Sequence, residues 1–153
     1  MTRRPDRSGR ARSLSRKLAM QALYQWQLTG QSAAELRNQF AEAEGYADAD
    51  AEYFGELLQA VTERAAGLDE ELAGLIDRPV AQLDPVERAV LLLGLHELGQ
   101  RLDVPYRVVI NEGVELAKRF GATDGHKFVN AVLDRAARRH RAAEQAAAGA
   151  TRG

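Results

Sequence analysis

The sequence predicts an all-α protein of seven helices packed together as bundles, and three observations carry that prediction. Alanine and leucine are plentiful while runs of β-branched residues are scarce. Apolar side chains recur at spacings of three and four, the period of one helix face. Glycines and prolines fall between these stretches, where helices start and stop.

Residues 1–12 hold five arginines, Pro5 and Gly9, with no apolar side chain beyond Met1 and Ala11. They cannot bury enough surface to fold alone and read as a flexible arginine-rich arm. The first helix is expected to begin at Ser13 or Ser15 and to end at Thr29-Gly30, where glycine suits a left-handed cap. Its inner face reads Ala19, Ala22, Leu23 and Trp26. A second helix starts after Ser32 and runs through Leu36 and Phe40 until Gly45 interrupts it. A third, from about Ala49, uses Tyr53, Phe54, Leu57, Leu58 and Val61 and ends near Gly67. A shorter fourth carries Leu68, Leu72, Leu75 and Ile76 and stops at Pro79, which cannot continue a helix.

The fifth start is the clearest. Asp84 suits the cap, Pro85 the first helical position and Glu87 the capping-box position. The helix that follows is apolar almost all round, as suits the centre of a domain. A sixth helix begins near Pro105 and buries Val109, Ile110, Val114, Ala117 and Phe120, with Glu115 paired to Arg119 outside and Gly121 at its end. Thr123 or Asp124 caps the seventh, whose apolar side is Phe128, Val129, Val132, Leu133 and Ala136. A single helical domain is thus expected over residues 13–141, with halves at about 13–78 and 83–141. Residues 142–153 read as an alanine-rich frayed tail.

Composition excludes several functions. There is no cysteine, hence no disulfide, thiolate metal site or cysteine nucleophile. No apolar run approaches the ~20 residues of a membrane-spanning helix. Arg3-Arg4 is not followed by the apolar stretch of an export signal, so a cytoplasmic protein is expected. His96-Glu97 begins like a zinc-protease motif but lacks the second histidine. Glu112 and Glu115 fit a solvated face shared with Lys118 and Arg119 better than a metal or acid–base pair. No nucleophile has a base beside it and no glycine-rich phosphate loop follows a strand. The sequence therefore predicts neither an enzyme nor a cofactor nor a small-molecule substrate.

Charge is distributed unevenly. Residues 1–17 carry seven basic side chains against Asp6 alone, whereas residues 35–77 carry twelve acidic ones against Arg37 and Arg64. A basic arm beside an acidic body points to a polyanion reached through the arm. Arginine forks onto phosphate and stacks on bases, which favours RNA, and unpaired bases need exposed rings to stack on. Tyr24 lies seven residues after Lys17 on the same face of the first helix, away from the apolar stripe. Phe128 directly follows Lys127, although Val132 in phase with it also fits a core position. An alternative is a helical protein-interaction adapter or homodimer without direct RNA binding, whose arm is a solvated tail.

Several blocks resemble bacterial NusB proteins. They are Arg16-Lys17-Leu18-Ala19 with Gln21-Ala22-Leu23-Tyr24-Gln25-Trp26, the stretch Leu83-Asp84-Pro85-Val86-Glu87-Arg88-Ala89-Val90-Leu91, and Asp103-Val104-Pro105-Tyr106 through Val109-Ile110-Asn111-Glu112 to Glu115-Leu116-Ala117-Lys118. Phe120-Gly121-Ala122, Asp124 and His126-Lys127-Phe128-Val129-Asn130 continue the match in order. The resemblance implies a seven-helix double helical bundle and a transcription antitermination factor that pairs with the ribosomal small-subunit protein NusE. Together they would bind single-stranded boxA RNA in nascent ribosomal RNA transcripts and join an RNA polymerase antitermination complex. It further implies an RNA surface of Arg10, Arg12, Arg16, Lys17, Tyr24, Glu87, Lys127 and Phe128, with Asp124 near NusE. This sequence departs from the family pattern at Gly125, where serine is usual, and at Ala131, where glycine is usual.

Overall fold

The computed structural model describes residues 9–152, with side chains described for residues 9–149. Arg3, Arg4 and Arg7 of the expected arm lie outside the described residues. Seven α-helices follow one another: α1 (Arg10–Thr29), α2 (Ala33–Phe40), α3 (Ala51–Ala73), α4 (Pro85–Gln100), α5 (Tyr106–Phe120), α6 (Gly125–His140) and α7 (Ala142–Arg152). Short 3₁₀ turns stand at Tyr46–Asp48 and Val80–Gln82, and no strand occurs among the described residues. The architecture is the expected all-α double bundle. No helix among the described residues is long and apolar enough to cross a membrane. The chain divides into two compact units, one ending at Ala66 and the other starting at Gly67.

In the first unit, α1 buries Ala11, Ser15, Leu18, Ala19, Ala22 and Leu23 along one side. It ends in Gly30 at φ 72°, the left-handed cap expected there. Ser15 links α1 to the start of α3. Its hydroxyl donates to the Asp50 carbonyl at 2.7 Å and accepts the Asp50 N–H at 3.0 Å, and the Asp50 carboxylate in turn accepts the Tyr53 N–H at 3.1 Å. Ser32 caps α2 in a full capping box with Glu35. The core of this unit centres on the fully buried Phe54, whose ring meets Phe40 at 6.2 Å and Tyr46 edge-on at 6.0 Å.

The second unit is organised around α4, in which every residue from Ala89 to Leu98 is buried. Asp84 caps it by accepting the N–H groups of Val86 and Glu87, with Pro85 at the first helical position. α4, α5 and α6 pack on one another through Leu133. A Cβ on Gly94 or Gly113 would come within 2.6 or 2.8 Å of the Leu133 methyls, so both glycines permit a close approach of backbone to side chain. Arg88 forks onto Asp69, with Nε 3.0 Å and Nη2 2.5 Å from its oxygens.

Several elements differ from the sequence expectation. α1 starts at Arg10, so Arg10 and Arg12 are helical rather than part of an arm. Trp26 is half-buried rather than fully inside. The expected third and fourth helices are one helix, because burial of Leu68 and Leu72 outweighs the roughly 1 kcal/mol that a mid-helix glycine such as Gly67 costs. Glu115 pairs with Lys118 at 3.5 Å instead of with Arg119, whose guanidinium lies 4.9 Å from the Phe120 ring centre.

The tail departs most from its reading. Arg141, only 4% exposed, donates to the carbonyls of Glu97, Leu98, Arg101 and Val104 at 2.8–3.2 Å and pairs with Glu144 at 2.7 Å. The other Glu144 oxygen accepts the first N–H of α5, from Tyr106, at 3.1 Å. One ion pair thus satisfies carbonyls at the end of α4 and a donor at the start of α5, groups that a helix cannot satisfy internally. α7 therefore carries part of the framework, and the helix count of seven includes it.

Candidate nucleic-acid interface

The first unit presents its candidate residues along α1. Seven residues span nearly two full turns, so Arg10, Lys17 and Tyr24 fall on one stripe. Arg10 is exposed, Lys17 half-buried and Tyr24 39% exposed, and Leu28 one turn further is 62% exposed. No acidic residue occupies the first turn of α1. The positive end of the helix dipole and the arginine charges therefore add up there, which costs helix stability but favours an approaching anion.

Arg16 does not take the expected place. It is 3% exposed, and its guanidinium lies 5.5 Å from the centre of the buried Tyr53 ring. Arg12 is half-buried over the same ring at 4.3 Å. Both cations face an aromatic ring that sequence spacing could not bring to them, and Arg16 is withdrawn from the surface. Of the predicted set in this unit, Arg10 and Tyr24 are exposed, Lys17 and Arg12 are half-buried with Arg12 over the Tyr53 ring, and only Arg16 is buried.

The second unit gathers the remaining candidates at the start of α6. Lys127 is exposed and pairs with Asp124 at 3.4 Å. Phe128 is half-buried, and the Arg78 guanidinium lies 4.4 Å from its ring centre. Beside that ring opens a groove of about 420 Å³ lined by Leu75, Asp77, Arg78, Phe128, Ala131 and Arg135. Arg135 is fixed there by donating to the Leu75 carbonyl at 2.7 Å. Ala131, one of the two departures from the family pattern, lines this groove. Arg78 and Arg135 escaped the sequence reading. A cation just before Pro79 was visible as a residue, but only the tertiary fold carries it onto an aromatic ring fifty positions later.

Glu87 is 7% exposed and points inward. Burial first, and then the nearby Asp84 carboxylate, push its carboxyl above the ordinary value, while the nearby Ala122 backbone and the charge of Arg78 pull the other way. Asp124 adopts φ 64° and makes no side-chain cap on α6, contrary to the capping role expected of it or Thr123. Among the described residues no cluster of histidine and carboxylate side chains could hold a metal ion.

The family model described as the NusB family matches residues 13–138 of the chain. This chain belongs to the NusB family. A NusB relative from Halorhodospira halophila, named transcription antitermination protein NusB, is 57% identical over 127 residues, 83% of this chain and 81% of its own length. One of the same name from a Marinomonas species is 52% identical across 95% of this chain and 84% of its own length. Among solved structures, NusB of T. maritima superposes with a TM-score of 0.75 at 27% identity, covering 84% of this chain and 91% of that one. A crystal structure of antitermination factors NusB and NusE in complex with double-stranded RNA matches with a TM-score of 0.73 at 28% identity, covering 81% and 93%.

Proposed function

We propose that this chain is a cytoplasmic, RNA-binding transcription antitermination factor that acts by binding and not by catalysis. It pairs with NusE, engages single-stranded boxA RNA in nascent ribosomal RNA transcripts and joins an RNA polymerase antitermination complex. The observation that carries the reading is the cation–aromatic stripe on α1, with Arg10 and Tyr24 exposed and Lys17 half-buried between them. Family membership supports it, as does the similarity to a NusB solved with NusE and RNA.

The physics follows from the side chains. Arg10, Lys17 and Lys127 release condensed counterions when they meet phosphates, which supplies affinity without sequence preference. Tyr24 and Phe128 offer flat faces for unpaired bases, worth about 1–3 kcal/mol each. Asp124, exposed at the α5–α6 turn, faces NusE. NusE extends the surface, so each protein alone binds weakly and the pair tightly.

The test is a titration of fluorescent boxA RNA with this chain at several salt concentrations, with and without NusE. Affinity should fall with salt and rise at least tenfold when NusE is added. Affinity that ignores both salt and NusE would overturn the proposal in favour of a protein-only adapter.

A further inference from the structure

The groove beside Phe128 lies wholly within the second unit, between one face of α6 and residues 74–78. Phe128, Ala131 and Arg135 follow one another at spacings of three and four, so they share that face of the helix. Leu75 and Arg78 line the opposite side. Its volume of about 420 Å³ suits one flat organic group with a polar attachment, since sites for small ligands run from roughly 300 to 1,000 Å³.

The two arginines of the groove are held in different ways. Arg135 is exposed, yet its Nη1 donates to the Leu75 carbonyl at 2.7 Å, and no carboxylate pairs with it among the described residues. A guanidinium has five N–H donors, so the anchored one leaves others for an incoming anion. Arg78 is held loosely. Its Nε lies 3.4 Å from the carboxylate of the exposed Asp77, and its guanidinium rests 4.4 Å from the Phe128 ring centre. Exposed ion pairs and exposed cation–π contacts are both weak, so Arg78 can leave the ring at little cost. Until then it covers the face on which a base would stack.

Two observations name the occupant. Two arginines against the single carboxylate of Asp77 favour a polyanion. Phe128 directly follows the exposed Lys127, so the groove continues the cationic surface at the start of α6. Phe128 and Arg135 stand nearly two turns apart, about 10 Å along the helix axis, a distance that a base, its ribose and the adjoining phosphate can span.

We propose that this groove is a single-nucleotide site of the RNA surface. One unpaired base stacks on Phe128 in place of the Arg78 guanidinium, Arg135 takes the adjoining phosphate, and the displaced Arg78 turns from Asp77 to the RNA backbone. Arg78 is thus a placeholder that keeps the ring covered until RNA arrives. The site rests on the RNA-binding reading of Phe128.

Fluorescent boxA RNA is titrated with each variant in the presence of NusE at several salt concentrations, and each variant is also melted. Arg135→Ala should bind about tenfold more weakly, the scale of one charge-assisted hydrogen bond. It should also lower the slope of log affinity against log salt by about 0.7, as for one phosphate contact, whereas Arg135→Lys should keep the slope. Arg78→Ala should lower the slope equally but bind only about threefold more weakly, because the ring no longer has to be uncovered. With Phe128→Ala already present there is nothing to uncover, and adding Arg78→Ala should then cost about tenfold. Arg78→Ala should lower the melting temperature only slightly, so this arm stands even if Arg135→Ala fails to fold.

Unchanged slopes in Arg78→Ala and Arg135→Ala, with wild type binding RNA, would overturn the site and leave the proposed function standing. Equal losses from Arg78→Ala with and without Phe128 would overturn its role as placeholder. Variants that keep the salt slope but lose affinity for NusE would assign the groove to the protein partner instead. A wild type that binds no RNA would remove the proposed function and this site together.

Discussion

The α1 face and the corner formed by α4, the α5–α6 turn and the start of α6 each combine a cation and an aromatic ring by different means. On α1, Lys17 and Tyr24 share one stripe by helical period alone, with Lys17 half-buried and Tyr24 exposed. At the corner, the Phe128 ring meets Arg78 from the segment before α4, and the Glu87 carboxyl of α4 lies beside Gly125 in the turn that precedes it. The first arrangement survives any change that leaves α1 helical. The second is only as well placed as the packing behind it. Substitutions of Lys17 or Tyr24 on the α1 stripe should therefore alter binding alone, whereas substitutions at the corner should alter binding and stability together.

The largest expected effect tests the framework behind the corner. Arg141→Ala leaves buried carbonyls at the end of α4 without their donor, together with an unpaired Glu144, and should lower the unfolding free energy by about 3 kcal/mol in chemical denaturation. A change below about 1 kcal/mol would mean that water replaces the guanidinium without loss. Next in size, Tyr24→Ala and Phe128→Ala should each cost about 1–3 kcal/mol of boxA affinity. Only Phe128→Ala should also lower the melting temperature, and equal melting shifts in the two variants would erase the contrast between the regions.

A finer test separates two cations of the same helix. Lys17→Ala should reduce the slope of log affinity against log salt by about 0.7, the value for one phosphate contact on a single strand. Arg16→Ala should leave the slope unchanged and destabilise the fold, since its guanidinium faces the Tyr53 ring inside the unit. A reduced slope for Arg16→Ala would return that arginine to the RNA surface.

The smallest effect concerns pH. The Glu87 carboxyl is raised in the folded chain, chiefly by burial. Its contribution to stability is therefore fully present below the ordinary carboxylate range and is lost as pH rises through the raised value. Glu87→Gln should accordingly melt slightly higher than wild type at neutral pH, and this advantage should vanish in mild acid. A glutamine variant that melts lower than wild type at pH 7 would show that the charged form is the one the fold prefers.

Features with a local cause were legible in the sequence. The capping box at Ser32, the Asp84-Pro85 start, the left-handed Gly30 and the all-apolar face of α4 follow from neighbouring residues, as does the α1 stripe. What stayed hidden depends on contacts between distant positions: Arg16 on Tyr53, Arg78 on Phe128, Glu87 under Gly125 and Arg141 on the carbonyls of α4. In each case a charged side chain, solvated by default, is held by a partner from another element. The merging of two expected helices into α3 has the same origin, since the glycine signal at Gly67 is local while the burial of Leu68 and Leu72 that overrides it is not.

The grip of Arg141 also sets an order of events during synthesis. Residues 97–104 form the junction between α4 and α5, yet the donor for their carbonyls is made some forty residues later. While the ribosome still holds that stretch, the junction can be solvated but not clasped. The C-terminal unit therefore reaches its final form only once Arg141 has left the ribosome, and a label or fusion joined close to α7 acts on that late step of its maturation.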